Sequence, residues 1–296
     1  MQLSRIAPLL AVTGVLSLSA CGGGSSGAGI ANFSGNTANV RVVNGAPGQG
    51  SFDIYFQAVG GALPSSPVAS TLAYGTATDF LTQPAIGENL IAQQAGTASP
   101  GASGKAFLSC PLPQFGINAK YSVVIVNNGG SLSCELFQDF DYTGSTAQYR
   151  AHNATTSSSA LAPTAGFGTI AAPSAPPGTP FTVQTTGTRG NLVGTSGAPV
   201  TYTQAQPNTI APFSGSVTFA VGNATSGTTP ALATLDSRYI FGPNGGGTNQ
   251  PNASGGLNFT GSVGTSIFAI DCTGATVASN VACSGGVALV GFTDRL

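Results

Sequence analysis

Charge is what this sequence has least of. Lysine, arginine, aspartate and glutamate make up 6% of its 296 residues, against about 25% in an ordinary soluble protein. Eight Lys and Arg stand against nine Asp and Glu, for a net charge of -1. No basic stretch exists to neutralise phosphates, which argues against nucleic acid as a partner. Histidine occurs once, and no Cys-x-x-Cys spacing is present, so a zinc cluster lacks ligands and no cofactor is expected. Tryptophan is absent, which removes the best platform for stacking on sugars. Catalysis needs titratable groups placed together, and this chain has few to place.

What fills the space is glycine, 43 residues of it, with abundant Ser, Thr, Asn and Ala; hydrophobic residues stand at 41% and mean hydropathy at +0.23. That is a neutral, hydroxyl- and amide-rich surface around enough apolar material for a core, not the composition of a disordered chain. At this length one large or two medium domains are expected.

The N-terminus specifies an address. Met1 to Arg5 carries one positive charge, and Ile6 to Leu18 is apolar but broken by Pro8, Thr13, Gly14 and Ser17. The run falls short of the roughly 20 apolar residues a membrane-spanning helix needs and fits a secretory signal. Leu18-Ser19-Ala20-Cys21 then resembles the bacterial lipobox. The resemblance implies cleavage after residue 20 and acylation of Cys21, and Gly22 in place of Asp resembles lipoproteins sorted to the outer membrane. Residues 21–37 read as a flexible Gly/Ser-rich tether. The expected location is the bacterial envelope, with the acylated Cys21 as the membrane contact and the folded body facing either the periplasm or the outside.

Removing Cys21 leaves Cys110, Cys134, Cys272 and Cys283, which allow three connectivities. In an oxidising envelope the pairing of sequence neighbours is expected, Cys110 with Cys134 and Cys272 with Cys283. Each bridge would contribute roughly 3 kcal/mol in the chain-entropy model.

From about Ala38 the sequence alternates as short strands do. "NVRVVN" sets Val40 and Val42 against Arg41 and Val43, and "SFDIYFQ" sets Phe52, Ile54 and Phe56 against Asp53 and Tyr55. "KYSVVIVNN" and "CELFQDF" flank "GGSL" as a hairpin would. Helical periodicity is scarce; Glu88 to Gln94 comes nearest and reads equally well as a strand. The expected fold is all-β, with two antiparallel β-sandwich units of immunoglobulin or prealbumin-like type over 38–146 and 147–296. Two echoes suggest a repeat: "YRAHNATTSS" with "VRVVNGAPGQ", and "LVGFTD" (Leu289–Asp294) with "LFQDFD" (Leu136–Asp141).

"VRVVNGAPGQGSFDIYF" followed by "LAYGTATDFL" resembles the bacterial family called domain of unknown function 4397. Arg41, Val43, Asn44, Gly45, Pro47, Asp53, Ile54, Tyr55, Tyr74 and Gly75 carry the likeness over about Ala38 to Tyr142. The second half shares it only through Arg150 and Asn153. The resemblance implies a cell-envelope β-sandwich, often anchored, with no established activity.

Three places invite a chemical reading. His152 lies close in sequence to Ser157 and Ser158, but no nucleophile elbow or orienting carboxylate accompanies them, and it reads as a strand residue near a domain junction. Asp139 and Asp141 offer two oxygens on one strand face, where Ca²⁺ wants six to eight; they read as solvent-facing charges at a strand end and only weak metal candidates. Arg41 and Asp53 are expected to face each other across neighbouring antiparallel strands as a register device. The sequence therefore favours a non-catalytic structural, adhesive or protein-interaction module of the envelope, whose partner is another envelope protein or a glycan. The alternative is a small-ligand or glycan-binding lipoprotein; a hydrolase is disfavoured by the shortage of acid–base groups.

Overall fold

The computed structural model of the chain describes residues 35–97, 105–139, 141, 148–156, 163–169, 181–182, 203–205, 208–209, 217–223, 233–236, 240, 264–273, 283 and 286–295. The expected signal segment, Cys21 and nearly all of the tether lie outside them, as do Ser157 and Ser158. Among the described residues every regular element is a strand and none is a helix. The fold is all-β.

The first half contains β1 (Thr37–Gly45), β2 (Phe52–Ala58), β3 (Ala69–Leu72), β4 (Leu81–Pro84), β5 (Glu88–Gln94), β6 (Phe107–Leu112), β7 (Lys120–Asn128) and β8 (Ser131–Asp139). They form two sheets, ordered β4-β1-β7-β8 and β3-β2-β5-β6. The second half contains β9 (Gln148–Ala154), β10 (Pro163–Thr169), β11 (Phe181–Thr182), β12 (Thr203–Ala205), β13 (Asn208–Thr209), β14 (Val217–Asn223), β15 (Ala233–Asp236), β16 (Gly264–Asp271) and β17 (Val287–Arg295). Setting β12 aside, these repeat the first half strand for strand, as β13-β9-β16-β17 and β11-β10-β14-β15. The chain folds one topology twice.

β12 breaks the symmetry. It leaves its own half and adds in parallel to the edge of β8, Thr203 opposite Phe137 and Ala205 opposite Asp139. Three residues further on, β13 is back in the second half, antiparallel to β9.

The expected antiparallel sheets are in fact mixed. β1 runs parallel to β7, and β9 parallel to β16. Only a hairpin forces antiparallel pairing; β1 and β7 are joined by a long excursion through the other sheet, which frees the parallel arrangement. The β7–β8 hairpin is tighter than "GGSL" implies. Gly129 and Gly130 alone form its turn, with φ of 59° and 97°, the left-handed conformations that a two-residue type I′ loop requires. Glu88 to Gln94 is a strand, as its central pairing between β2 and β6 demands.

Both faces of β1 are buried. Val40 and Val42 join a cluster with Phe52, Ile54, Leu90 and Ile125, the core between the two sheets of the first half. Val43, on the opposite face, joins Val124 and Phe137 in a second cluster with Phe268, Ile270 and Phe292 of the second half. The β1 sheet and the β9 sheet thus pack on one another. The far side of the β9 sheet meets β15, where Ile267 and Leu235 close over Gly291 so tightly that a Cβ there would stand 2.9 Å from each. Cys110 of β6 is bonded to Cys134 of β8, tying the two sheets of the first half, and Cys272 at the end of β16 is bonded to Cys283.

Candidate functional site

Where the two halves meet, the apolar contact gives way to charge. Arg41 lies opposite Ser122 in the β1–β7 ladder, and Arg150 lies opposite Ser266 in the β9–β16 ladder. The matching geometry follows from the repeat: each Arg donates to the Ser beside it, Arg41 Nη2 at 3.0 Å and Arg150 Nε at 2.8 Å. Each Ser in turn donates to the Asp near the end of its hairpin partner, Ser122 to Asp139 at 2.6 Å and Ser266 to Asp294 at 2.5 Å. Two Arg–Ser–Asp sets result, one per half.

The sets are joined by crossing over. Arg41 of the first half reaches Asp294 of the second at 2.5 Å, which also receives Arg150 at 2.7 Å. Asp139 is approached from further away, by Arg41 at 3.5 Å and Arg150 at 3.8 Å. What stands close to Asp139 instead is His152, whose Nε2 lies 3.0 Å from its Oδ1. The imidazole is stacked on Phe268 and tilted against Phe137, with ring centroids 4.6 and 4.7 Å away; Nε2 faces Asp139 Oδ1 without a well-aligned hydrogen bond, and Nδ1 has no partner at all. The Arg41 guanidinium is further enclosed by the rings of Phe80, Phe268 and Phe292. No charged side chain of the cluster is more than 4% exposed.

These surroundings set the protonation states. Burial alone would raise the carboxyl of Asp139, but Arg150, His152 and Arg41 more than offset it and hold it below the usual range. Asp294 is likewise held down against burial by Arg41 and Arg150, with Asp139 opposing. His152 is pushed down by burial and by the two arginines, with Asp139 pulling the other way. The cluster therefore holds two cations, two anions and a neutral imidazole. Charges so deeply buried persist only when paired and hydrogen-bonded.

The candidates read from sequence are redistributed. Arg41 and Asp53 do not pair, because β1 and β2 belong to different sheets; Asp53 instead accepts the backbone N–H groups of Thr71 and Gly96. Asp139 is not a solvent-facing charge; it is buried, with two guanidinium groups and an imidazole around it. Asp141 is exposed and paired with Lys120 at 2.6 Å. Among the described residues no group of three or more His, Cys, Asp and Glu is arranged to hold a metal. His152 lies on a strand at the junction between the halves.

Sequence reasoning missed Ser122, Ser266 and Asp294 as members of one site. The signal was present but out of register: "FQD" at 137–139 matches "FTD" at 292–294, because Phe137 lies opposite Ser122 and Phe292 opposite Ser266. The echo that ended on Asp141 was two residues off. Asn44 and Asn153 are equivalent too, each accepting the N–H two residues on, from Ala46 and Thr155, at 3.1 Å. Tyr74 adds a further bridge between the halves by donating its hydroxyl to the Asp271 carbonyl. Neither a family model nor a curated protein matches the chain.

Proposed function

We propose that this chain is a non-catalytic module of the bacterial envelope, anchored through an acylated Cys21 and built from two β-sandwich units of the kind that domain of unknown function 4397 names. Its role is structural, adhesive or protein-binding. One observation carries the non-catalytic reading. The chain's one histidine, two of its eight basic residues and two of its nine acids are consumed in a closed cluster between the halves. Groups sealed there reach no substrate, and in a chain with so few titratable side chains little is left to perform acid–base work. The two disulfides support an exported protein.

The anchor is tested by comparing wild type with Cys21→Ser in cells fed a labelled fatty acid. The expected result is label on the wild type alone, with the variant moved from the membrane to the soluble envelope fraction. An unlabelled wild type, or a variant still in the membrane fraction, would overturn the anchoring. The module reading is tested by affinity capture from intact envelopes. A defined protein or glycan enriched with the anchored chain over the Cys21→Ser control supports it, and none enriched counts against it.

A further inference from the structure

We infer that His152 is an acid-sensitive latch between the two halves: its neutral ring closes the inter-half cluster, and its protonation opens it. The inference stands apart from the anchoring proposal and rests on the packing alone.

The groups of the cluster that surrounds the ring come from six strands. Arg150 lies on its own strand, β9. Arg41 comes from β1, Ser122 from β7, Asp139 and Phe137 from β8, Ser266 and Phe268 from β16, and Asp294 from β17. Glu135, buried and two residues from Phe137 on the same face of β8, is the next carboxylate. Arg41 and Arg150 balance Asp139 and Asp294, and each of these carboxylates accepts a serine hydroxyl on one oxygen. A proton on His152 adds a third cation. With the proton of the neutral ring on Nε2, turned to Asp139, it also places a second N–H at Nδ1, which has no hydrogen-bond partner. A buried donor without an acceptor and an unbalanced buried charge are both strongly unfavourable.

The internal repeat supplies a control. β1 and β9 share their register, so Val43 occupies in the first half the place of His152 in the second. That position requires no imidazole to complete the fold. The downward shift of His152 agrees with the geometry. Because the folded chain resists the proton and the unfolded chain takes it up below about pH 6.5, the contribution of His152 to stability is complete above that value and declines as the pH falls.

The test compares wild type with His152→Val by denaturant unfolding between pH 8 and pH 5. Below about pH 6 the folded-to-unfolded ratio of wild type should fall roughly tenfold per pH unit relative to the variant, the slope of one proton. Parallel curves would overturn the latch. His152 is the only histidine, so its imidazole signal in a proton NMR titration of the wild type needs no assignment, and this measurement decides the matter if the variant fails to fold. The latch requires the native signals of the junction to be lost as the ring takes up its proton below about pH 6.5; a ring that titrates below that value with the native spectrum intact overturns it. A midpoint at or above 6.5 with the native spectrum intact would overturn it. Hydrogen exchange, corrected for intrinsic rates, should loosen β9 and β16 on acidification while β2 and β5 stay protected; uniform loosening would remove the assignment to the junction between the halves.

Discussion

The two faces of the β1 sheet are buried by different means. Toward β2 and β5 the contact is apolar, with Val40, Val42, Phe52, Ile54, Leu90 and Leu136 among its members. Toward β9 and β16 it holds buried charged side chains, Arg41 and Asp139, paired across the junction with Asp294, Arg150 and His152. An apolar face stabilises in proportion to the area it hides and tolerates a slide; a set of crossed ion pairs closes in one alignment only. Buried pairs of this kind are weak contributors to stability against an apolar alternative. Their value here is alignment: two halves with the same topology have several ways to stack, and the Arg41–Asp294 pair permits one.

The sharpest way to break this contrast is to orphan a charge. Asp294→Ala leaves both guanidinium groups without their nearest carboxylate, and the expected loss is about 3 to 5 kcal/mol in denaturant unfolding. Asp139→Ala should be milder, since its arginines stand further off, and an equal or larger loss would mean that the shorter distances carry no extra weight.

The disulfides offer one test on each side, Cys110–Cys134 in the apolar core of the first half and Cys272–Cys283 in the second half. Replacing Cys110 and Cys134 by Ala should lower stability by about 3.5 kcal/mol and replacing Cys272 and Cys283 by about 2.8 kcal/mol, because the first closes the longer loop. Thermal unfolding of the two double variants reads the order directly.

Glu88 is the exception within the apolar region. It lies on the face of β5 that carries Leu90 and Ala92, buried, with neither carboxylate oxygen hydrogen-bonded. Burial pushes it up from 4.5 to about 7. Below 4.5 both folded and unfolded chains hold the proton; between 4.5 and 7 only the folded chain does, so stability falls as the pH rises and the loss is complete above 7. Glu88→Gln should abolish that decline and gain at most about 3 kcal/mol at pH 8, visible as a flatter plot of unfolding midpoint against pH. The slope is opposite to that expected of His152, so the two offset each other in the wild type and are read apart by comparing Glu88→Gln with His152→Val.

Gly45, facing the second half, is smaller in effect. A Cβ there would stand 3.0 Å from the Ile270 side chain and 3.1 Å from the Ile125 carbonyl. Gly45→Ala should lower stability by about 1 to 3 kcal/mol through overpacking, measurable by thermal unfolding. The smallest expected effect is a null. In double-mutant cycles Arg41 and Asp294 should couple by more than about 1 kcal/mol, whereas Arg41 and Asp53, set on different sheets, should couple by less than about 0.5 kcal/mol.

Much of the fold was legible because it is written in alternation. β2 and β7 were readable from Phe52-x-Ile54-x-Phe56 and from the valine run to Val126, and the later strands β14, β16 and β17 from similar runs. β1 was half legible: Arg41 and Val43 were assigned to one face, but a charged residue on a strand buried on both sides looks from sequence like a surface residue. The site was less readable for the same reason. Its members lie on six strands, Arg41 and Asp294 are 253 residues apart, and no local spacing connects them. Only the repeat connects them, and a shift of two residues was enough to conceal Asp139 behind Asp141.

The excursion of β12 has a consequence in time. A chain folded from its N-terminus presents the end of β8, Phe137–Asp139, well before residues 203–205 arrive to pair with it. In that interval the first half has an open strand edge, the feature most apt to pair with the wrong neighbour, and Arg41 lacks its nearest carboxylate until Asp294 follows. The first half is thus finished by the second, and a truncation just after β9 leaves behind a folding unit without the borrowed strand at the end of β8.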